Sequence, residues 1–170
     1  WLTKSAEQGY VPAMGVMGNV HYMGLLGQPK DAGKALDWYK KAVDAGSPEA
    51  TYVMAGLYLD GQYVERDVNY AYILLEKSAE LNYHEAMYVL AIQYEDGNYF
   101  ERDTKKALYW YEKVASQGNL TAQNNIGVMY ANGYGVKQDK KKAKEYFEKT
   151  CDNGSDTGCA YYKELNQKGY

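Results

Sequence analysis

Residues 122–139 read Ala122-Gln-Asn-Asn-Ile-Gly-Val-Met-Tyr-Ala-Asn-Gly-Tyr-Gly-Val-Lys-Gln-Asp139, running on into Lys140-Lys-Lys-Ala143 and Tyr146-Phe-Glu-Lys149. The landmarks of this stretch recur along the chain. Asp31, Asp67, Asp103 and Asp139 are spaced 36 residues apart, and so are Ala35, Ala71, Ala107 and Ala143. Tyr58, Tyr94 and Tyr130 keep the spacing, as do Gly61, Gly97 and Gly133. Gly46, Asn82, Gly118 and Gly154 form another series. Gly9 precedes it by 37 residues, because the loop from Gly24 to Asp31 is one residue longer than its later copies. Self-similarity at this period marks a stack of supersecondary units, none of which buries its apolar face alone.

Each unit reads as two helices. In the third, Ala86, Leu90, Ala91 and Tyr94 recur at helical spacing, and Gly97 ends the helix. Asp103 then stands where an N-cap carboxylate accepts unpaired backbone N–H groups. Ala107, Leu108, Tyr111 and Ala115 form the stripe of the second helix, and Gly118 takes the left-handed position after it. Asn82 fills that place in the second repeat, as Asn does most readily after Gly. Gly18, Ala55, Ala91 and Gly127 are equivalent small residues on first helices, and Ala35, Ala71, Ala107 and Ala143 on second helices. Their size implies close backbone approach, with Tyr58, Leu74, Tyr94 and Trp110 filling the space to the next repeat.

Composition narrows the function classes. The net charge of −3 offers no basic field for nucleic acid or an anionic membrane. No apolar run approaches the roughly 20 residues of a membrane span. No signal peptide is visible, but the chain opens at Trp1 without a Met, which leaves the compartment undecided. With 20 Tyr against 2 Phe, the aromatic balance suits a thin fold whose rings are buried at one end and wet at the other.

The fourth repeat resembles the Sel1-like repeat, a relative of the tetratricopeptide repeat. Trp38-Tyr-Lys-Lys-Ala and Trp110-Tyr-Glu-Lys-Val match the second helix of that family, whereas the second repeat departs from it with Leu74-Leu75. The resemblance covers nearly the whole chain. The expected fold is an all-α, α/α superhelical solenoid of about ten helices. The array divides into 1–9, the end of a preceding repeat; repeats 10–46, 47–82, 83–118 and 119–154; and a capping helix over 155–170. Lys163 and Asn166 replace the repeated small residue and Tyr, which suits a solvated end helix.

Cys151 and Cys159 are the only cysteines, placed on either side of the turn at Gly154. That turn reverses the chain, so the sulfurs can meet. The spacing also resembles the cysteine-rich branch of Sel1-like proteins, which implies a disulfide and a periplasmic or secreted, bacterial protein. Two buried thiols in a cytosolic protein are the alternative. Two cysteines do not make a structural zinc site.

No nucleophile elbow, phosphate loop or zinc-helix motif is present, and no cofactor is implied. His21 takes the place of the repeated Tyr and reads as a packing substitution; His84 reads as exposed, ahead of a first helix. Glu65-Arg66-Asp67 and Glu101-Arg102-Asp103 read as capping loops with solvated charges, and a partner contact through the arginines is the weaker reading. Lys140-Lys-Lys142 lies in the first turn of a helix, where the dipole disfavours cations.

In tetratricopeptide folds the first helices line the concave face. The corresponding positions in this chain are Gly15, Asn19 and Tyr22; Tyr52, Gly56 and Leu59; Tyr88, Ile92 and Glu95; and Asn124, Asn125 and Val128. From these, Asn19, Tyr52, Tyr88, Glu95 and Asn124 are the candidate binding residues, expected to form a continuous exposed stripe. The expected function is a non-enzymatic scaffold that binds a protein or peptide, without nucleic acid or membrane insertion. Two alternatives remain open. One is an enzyme, since some cysteine-rich Sel1-like proteins are described as binding or hydrolysing β-lactams. The other is an endoplasmic-reticulum or cytosolic adaptor.

Overall fold

A computed structural model describes every residue from Trp1 to Tyr170. The fold is all-α. Ten helices follow one another: α1 (Leu2–Glu7), α2 (Val11–Met23), α3 (Ala32–Asp44), α4 (Pro48–Asp60), α5 (Val68–Glu80), α6 (His84–Asp96), α7 (Thr104–Ser116), α8 (Leu120–Asn132), α9 (Lys140–Asp152) and α10 (Asp156–Gln167). The even-numbered helices are first helices of the repeat and the odd-numbered ones second helices. The chain forms two compact units, Trp1–Ala86 and Met87–Tyr170, divided within α6.

The repeated Asp residues cap the second helices. Asp31, Asp67 and Asp139 accept from the N–H groups of Lys34, Tyr70 and Lys142 at 2.9–3.0 Å, and Asp103 accepts from Lys105 and Lys106. The backbone N–H of each capping Asp also donates to the preceding first helix. Asp31 donates to the carbonyl of His21, and Asp67, Asp103 and Asp139 donate to those of Tyr58, Tyr94 and Tyr130. One residue therefore starts one helix and ties it to the last turn of the other. Because the link uses the backbone carbonyl, His21 serves as well as Tyr. Its ring is buried, with Nδ1 unpaired. His84 opens α6 rather than preceding it, and is exposed.

At the opposite ends, Gly9, Gly46, Asn82, Gly118 and Gly154 all have positive φ, as do Gly24, Gly61, Gly97 and Gly133 after first helices. Ser47, Asn119 and Ser155 cap α4, α8 and α10 with their side-chain oxygens.

In the first unit α2 packs on α3, α3 on α4 and α4 on α5, with Ala6, Ala13 and Met17 forming a local core beneath Leu2, Met14 and Trp38. In the second, α7 packs on α8, α8 on α9 and α9 on α10, with Ala143, Phe147 and Leu165 at the far end. The small residues at 18, 55, 91, 127, 35, 71, 107 and 143 are all buried. Their role differs in part from the expected backbone approach. A Cβ on Gly18 or Gly127 would collide with the ring of Tyr39 or Phe147, so these glycines make room for a facing aromatic side chain.

The lysines at the start of α9 find aromatic partners. Lys140 sits 4.2 Å over the Tyr170 ring and Lys142 4.2 Å over the Tyr130 ring. Each also donates to the phenol oxygen at 2.7 Å. Attraction to the ring quadrupole and the phenol dipole offsets the unfavourable helix dipole.

Candidate functional site

In the first unit, α2 and α4 carry the candidate residues. Asn19 is half-buried, and its Oδ1 accepts a 2.7 Å hydrogen bond from the hydroxyl of Tyr39 on α3. Tyr39 is itself buried, and the loss of hydration, helped by nearby Tyr22 and Glu49, pushes its phenol up to about 12. Tyr22 meets the ring of Tyr63 edge-on at 5.3 Å. Tyr52 is half-buried and packs at 5.4 Å against Tyr83, which stacks in turn on His84.

The second unit repeats the theme with different chemistry. Tyr88 on α6 meets the ring of Tyr111 on α7 edge-on at 5.9 Å. The Tyr111 hydroxyl donates to Oε2 of Glu95 at 2.7 Å, and the Asn125 amide stands near enough to influence the phenol. Burial, then the hydrogen bond and charge of Glu95, push the Tyr111 phenol well above its ordinary range. Tyr88, Glu95 and Asn125 are half-buried, whereas Tyr111 is fully buried beneath them. A phenol from the second helix thus fixes a carboxylate on the preceding first helix, beside the Asn125 amide. Tyr88 and Glu95 are held in place before any ligand arrives, which lowers the ordering cost of binding.

Asn124 departs from the expected exposed position. It is 6% exposed and occupied internally. Its Nδ2 donates to Ser155 Oγ at 2.8 Å and its Oδ1 accepts from Thr150 Oγ1 at 2.6 Å. The amide joins α8, α9 and the cap of α10, and the neighbouring Asn125 faces the site instead. The arginines of the two Glu-Arg-Asp loops stay exposed, as expected of solvated charges, while their Nε atoms reach the backbone. Arg66 Nε donates to Leu59 O at 3.0 Å and Arg102 Nε to Glu95 O at 2.9 Å, and Gln138 does the same to Ala131 O. They satisfy carbonyls in the last turns of α4, α6 and α8.

Cys151 and Cys159 form a disulfide with 4.4 Å between their Cα atoms, and no cysteine is free. No group of three or more His, Cys, Asp or Glu side chains is arranged to hold a metal. No helix is long and apolar enough to cross a membrane.

The Sel1 repeat profile matches residues 1–10, 11–47, 48–83, 84–119 and 120–155. The chain belongs to the Sel1 repeat family. Solved Sel1 structures agree. One is c5321, a protective antigen present in uropathogenic Escherichia coli strains and displaying an SLR fold. It is 28% identical with a TM-score of 0.87, over 99% of this chain and 36% of its own. A Sel1 repeat protein from Oxalobacter formigenes is 32% identical with a TM-score of 0.86, over 96% of this chain and 47% of its own. Among curated proteins, HRD3A of Arabidopsis thaliana, an ERAD-associated E3 ubiquitin-protein ligase component, is 38% identical over 60 residues. That match takes in 35% of this chain and 9% of HRD3A. The chain thus spans less than half the length of each of these three proteins. The Sel1 repeat fold is consistent with a scaffold for protein–protein interaction.

Proposed function

We propose that this Sel1 chain is a non-enzymatic scaffold that binds a protein or peptide segment on its first helices, outside the cytoplasm. The observation that carries the reading is the fixed arrangement of Tyr88, Glu95 and Asn125 over the buried Tyr111 hydroxyl. A half-buried Tyr offers a large contact with little rotamer entropy to lose, and the carboxylate and amide oxygens accept from a partner's backbone or cations. Asn19 and Tyr52 offer the same combination in the first unit. Asn124 is not part of the surface. The disulfide supports a periplasmic or secreted location, because cytosolic reductants keep most thiols reduced.

The test compares Tyr52→Ala/Tyr88→Ala with Arg66→Ala/Arg102→Ala, each first shown to be folded, in pull-downs from envelope and host extracts read by mass spectrometry. The tyrosine pair should lose the captured partner and the arginine pair should keep it. The reverse pattern refutes the reading.

A further inference from the structure

We infer that the cleft between α8 and α10 is an anchor site of this binding surface. It takes one branched or aromatic side chain of a partner protein, next to a lysine or arginine of the same partner. The inference rests on the scaffold reading above and adds the chemistry of the bound segment.

The cleft has a volume of about 200 Å³ and is lined chiefly by Val128, Ala131, Phe147, Tyr161, Glu164 and Leu165. The repeat shows why it exists. Thirty-six residues earlier, Ala131 corresponds to Glu95, Phe147 to Tyr111 and Tyr161 to Asn125. There the hydrogen-bonded pair of Tyr111 and Glu95, with Asn125 beside it, occupies the site. In the last copy the carboxylate has shrunk to a methyl group and the phenol has lost its oxygen. The space that Glu95 fills in one repeat is left open beside Ala131 in the next. Its floor is apolar, with the Phe147 and Tyr161 rings 4.8 Å apart.

The rim carries one carboxylate. Glu164 corresponds to Val128 and Ile92, so it too is particular to this copy. Its ion pair is with Lys168, one turn along the same helix, and both side chains are more than half exposed. Such pairs exchange readily with a competing cation. An apolar floor beside one replaceable acidic group is complementary to an apolar side chain flanked by a cation. The wall that bears Tyr161, Glu164 and Leu165 is held by the Cys151–Cys159 disulfide and by the close seating of Gly158 on Thr150. The cleft is therefore preformed on one side, which favours capture of a single side chain.

The probes are isopentylamine, a branched apolar group bearing a cation, and 4-methylpentanoate, of similar shape and opposite charge. Each is titrated into the folded, oxidised chain and followed by NMR shifts at Val128, Ala131 and Leu165. The amine should give saturable shifts at these residues and the carboxylate none. Glu164→Gln should weaken the amine about fivefold. Ala131→Glu/Phe147→Tyr rebuilds the pair found one repeat earlier, fills the cleft and should abolish the response while the helical circular dichroism is retained. No response to the amine, an equal response to the carboxylate, or a response that survives the filled variant would each overturn the inference. Tyrosine-dependent capture without any amine response leaves the scaffold reading standing and removes the anchor. Amine binding with tyrosine-independent capture does the opposite.

Discussion

A Cβ placed on Gly127 would stand 2.6 Å from Cε1 of Phe147, well inside van der Waals contact. The ring is fully buried in the hairpin of α8 and α9, so an added methyl group has to displace it. Gly127→Ala should therefore destabilise the second unit by about 1–3 kcal/mol, the usual cost of overpacking. Repeat two carries Ala55 and Leu75 at the corresponding positions. Adding Phe147→Leu to Gly127→Ala should recover part of the loss. Denaturant unfolding of the two single variants and the double variant checks this, and strictly additive losses would contradict it.

Ala91 and Ala107 are both inaccessible to solvent. Replacing either with Leu forces three extra carbons into a filled interior and should cost about 1–3 kcal/mol. An unchanged melting temperature for both variants would mean that α6 and α7 present other faces to the core.

The disulfide closes a short loop, with Cys151 and Cys159 eight residues apart. In the chain-entropy model reduction should cost about 2–3 kcal/mol. The effect should concentrate in α10, which packs chiefly on α9. Hydrogen exchange before and after reduction should show α10 losing protection first. Thiol titration of unreduced, denatured protein should find no free sulfhydryl.

Asn124→Ala removes the shared partner of Thr150 and Ser155. The expected loss is about 1–3 kcal/mol, since buried polar groups lose a hydrogen bond without regaining water. Because Asn124 lies inside the fold, partner binding by the folded variant should be unchanged.

Alkaline pH should weaken the fold through its buried phenols. The folded-state pKa of Tyr39 is raised from 10.0 to about 12, so the unfolded chain gives up that proton first. The stabilisation is intact below pH 10 and is lost as the pH rises toward about 12. Tyr111 shifts in the same direction and adds to the loss. Phenolate absorbance should show these two tyrosines ionising last, close to unfolding, whereas Tyr170, whose phenol is lowered by Lys140, ionises early.

Repeat length, the Asp caps of the second helices and the placing of Cys151 and Cys159 across one turn are all legible in the order of residues. Each rests on local rules: Asp as a cap, Gly or Asn where φ is positive, and a turn too short to separate two sulfurs. The same locality explains what stays hidden. Asn124 and Asn125 are neighbours of one residue type, and repeat alignment places both on the outer side of a first helix. Packing put Asn124 inside, because its partners Thr150 and Ser155 lie 26 and 31 residues further on. It likewise turned Arg66 and Arg102 onto helix carbonyls and joined Tyr111 to Glu95. It also opened a cleft at Ala131, where alignment shows only a smaller residue. Whether a polar side chain is presented or consumed depends on the donors and acceptors that packing brings within about 3 Å of it, and no spacing along the chain records that.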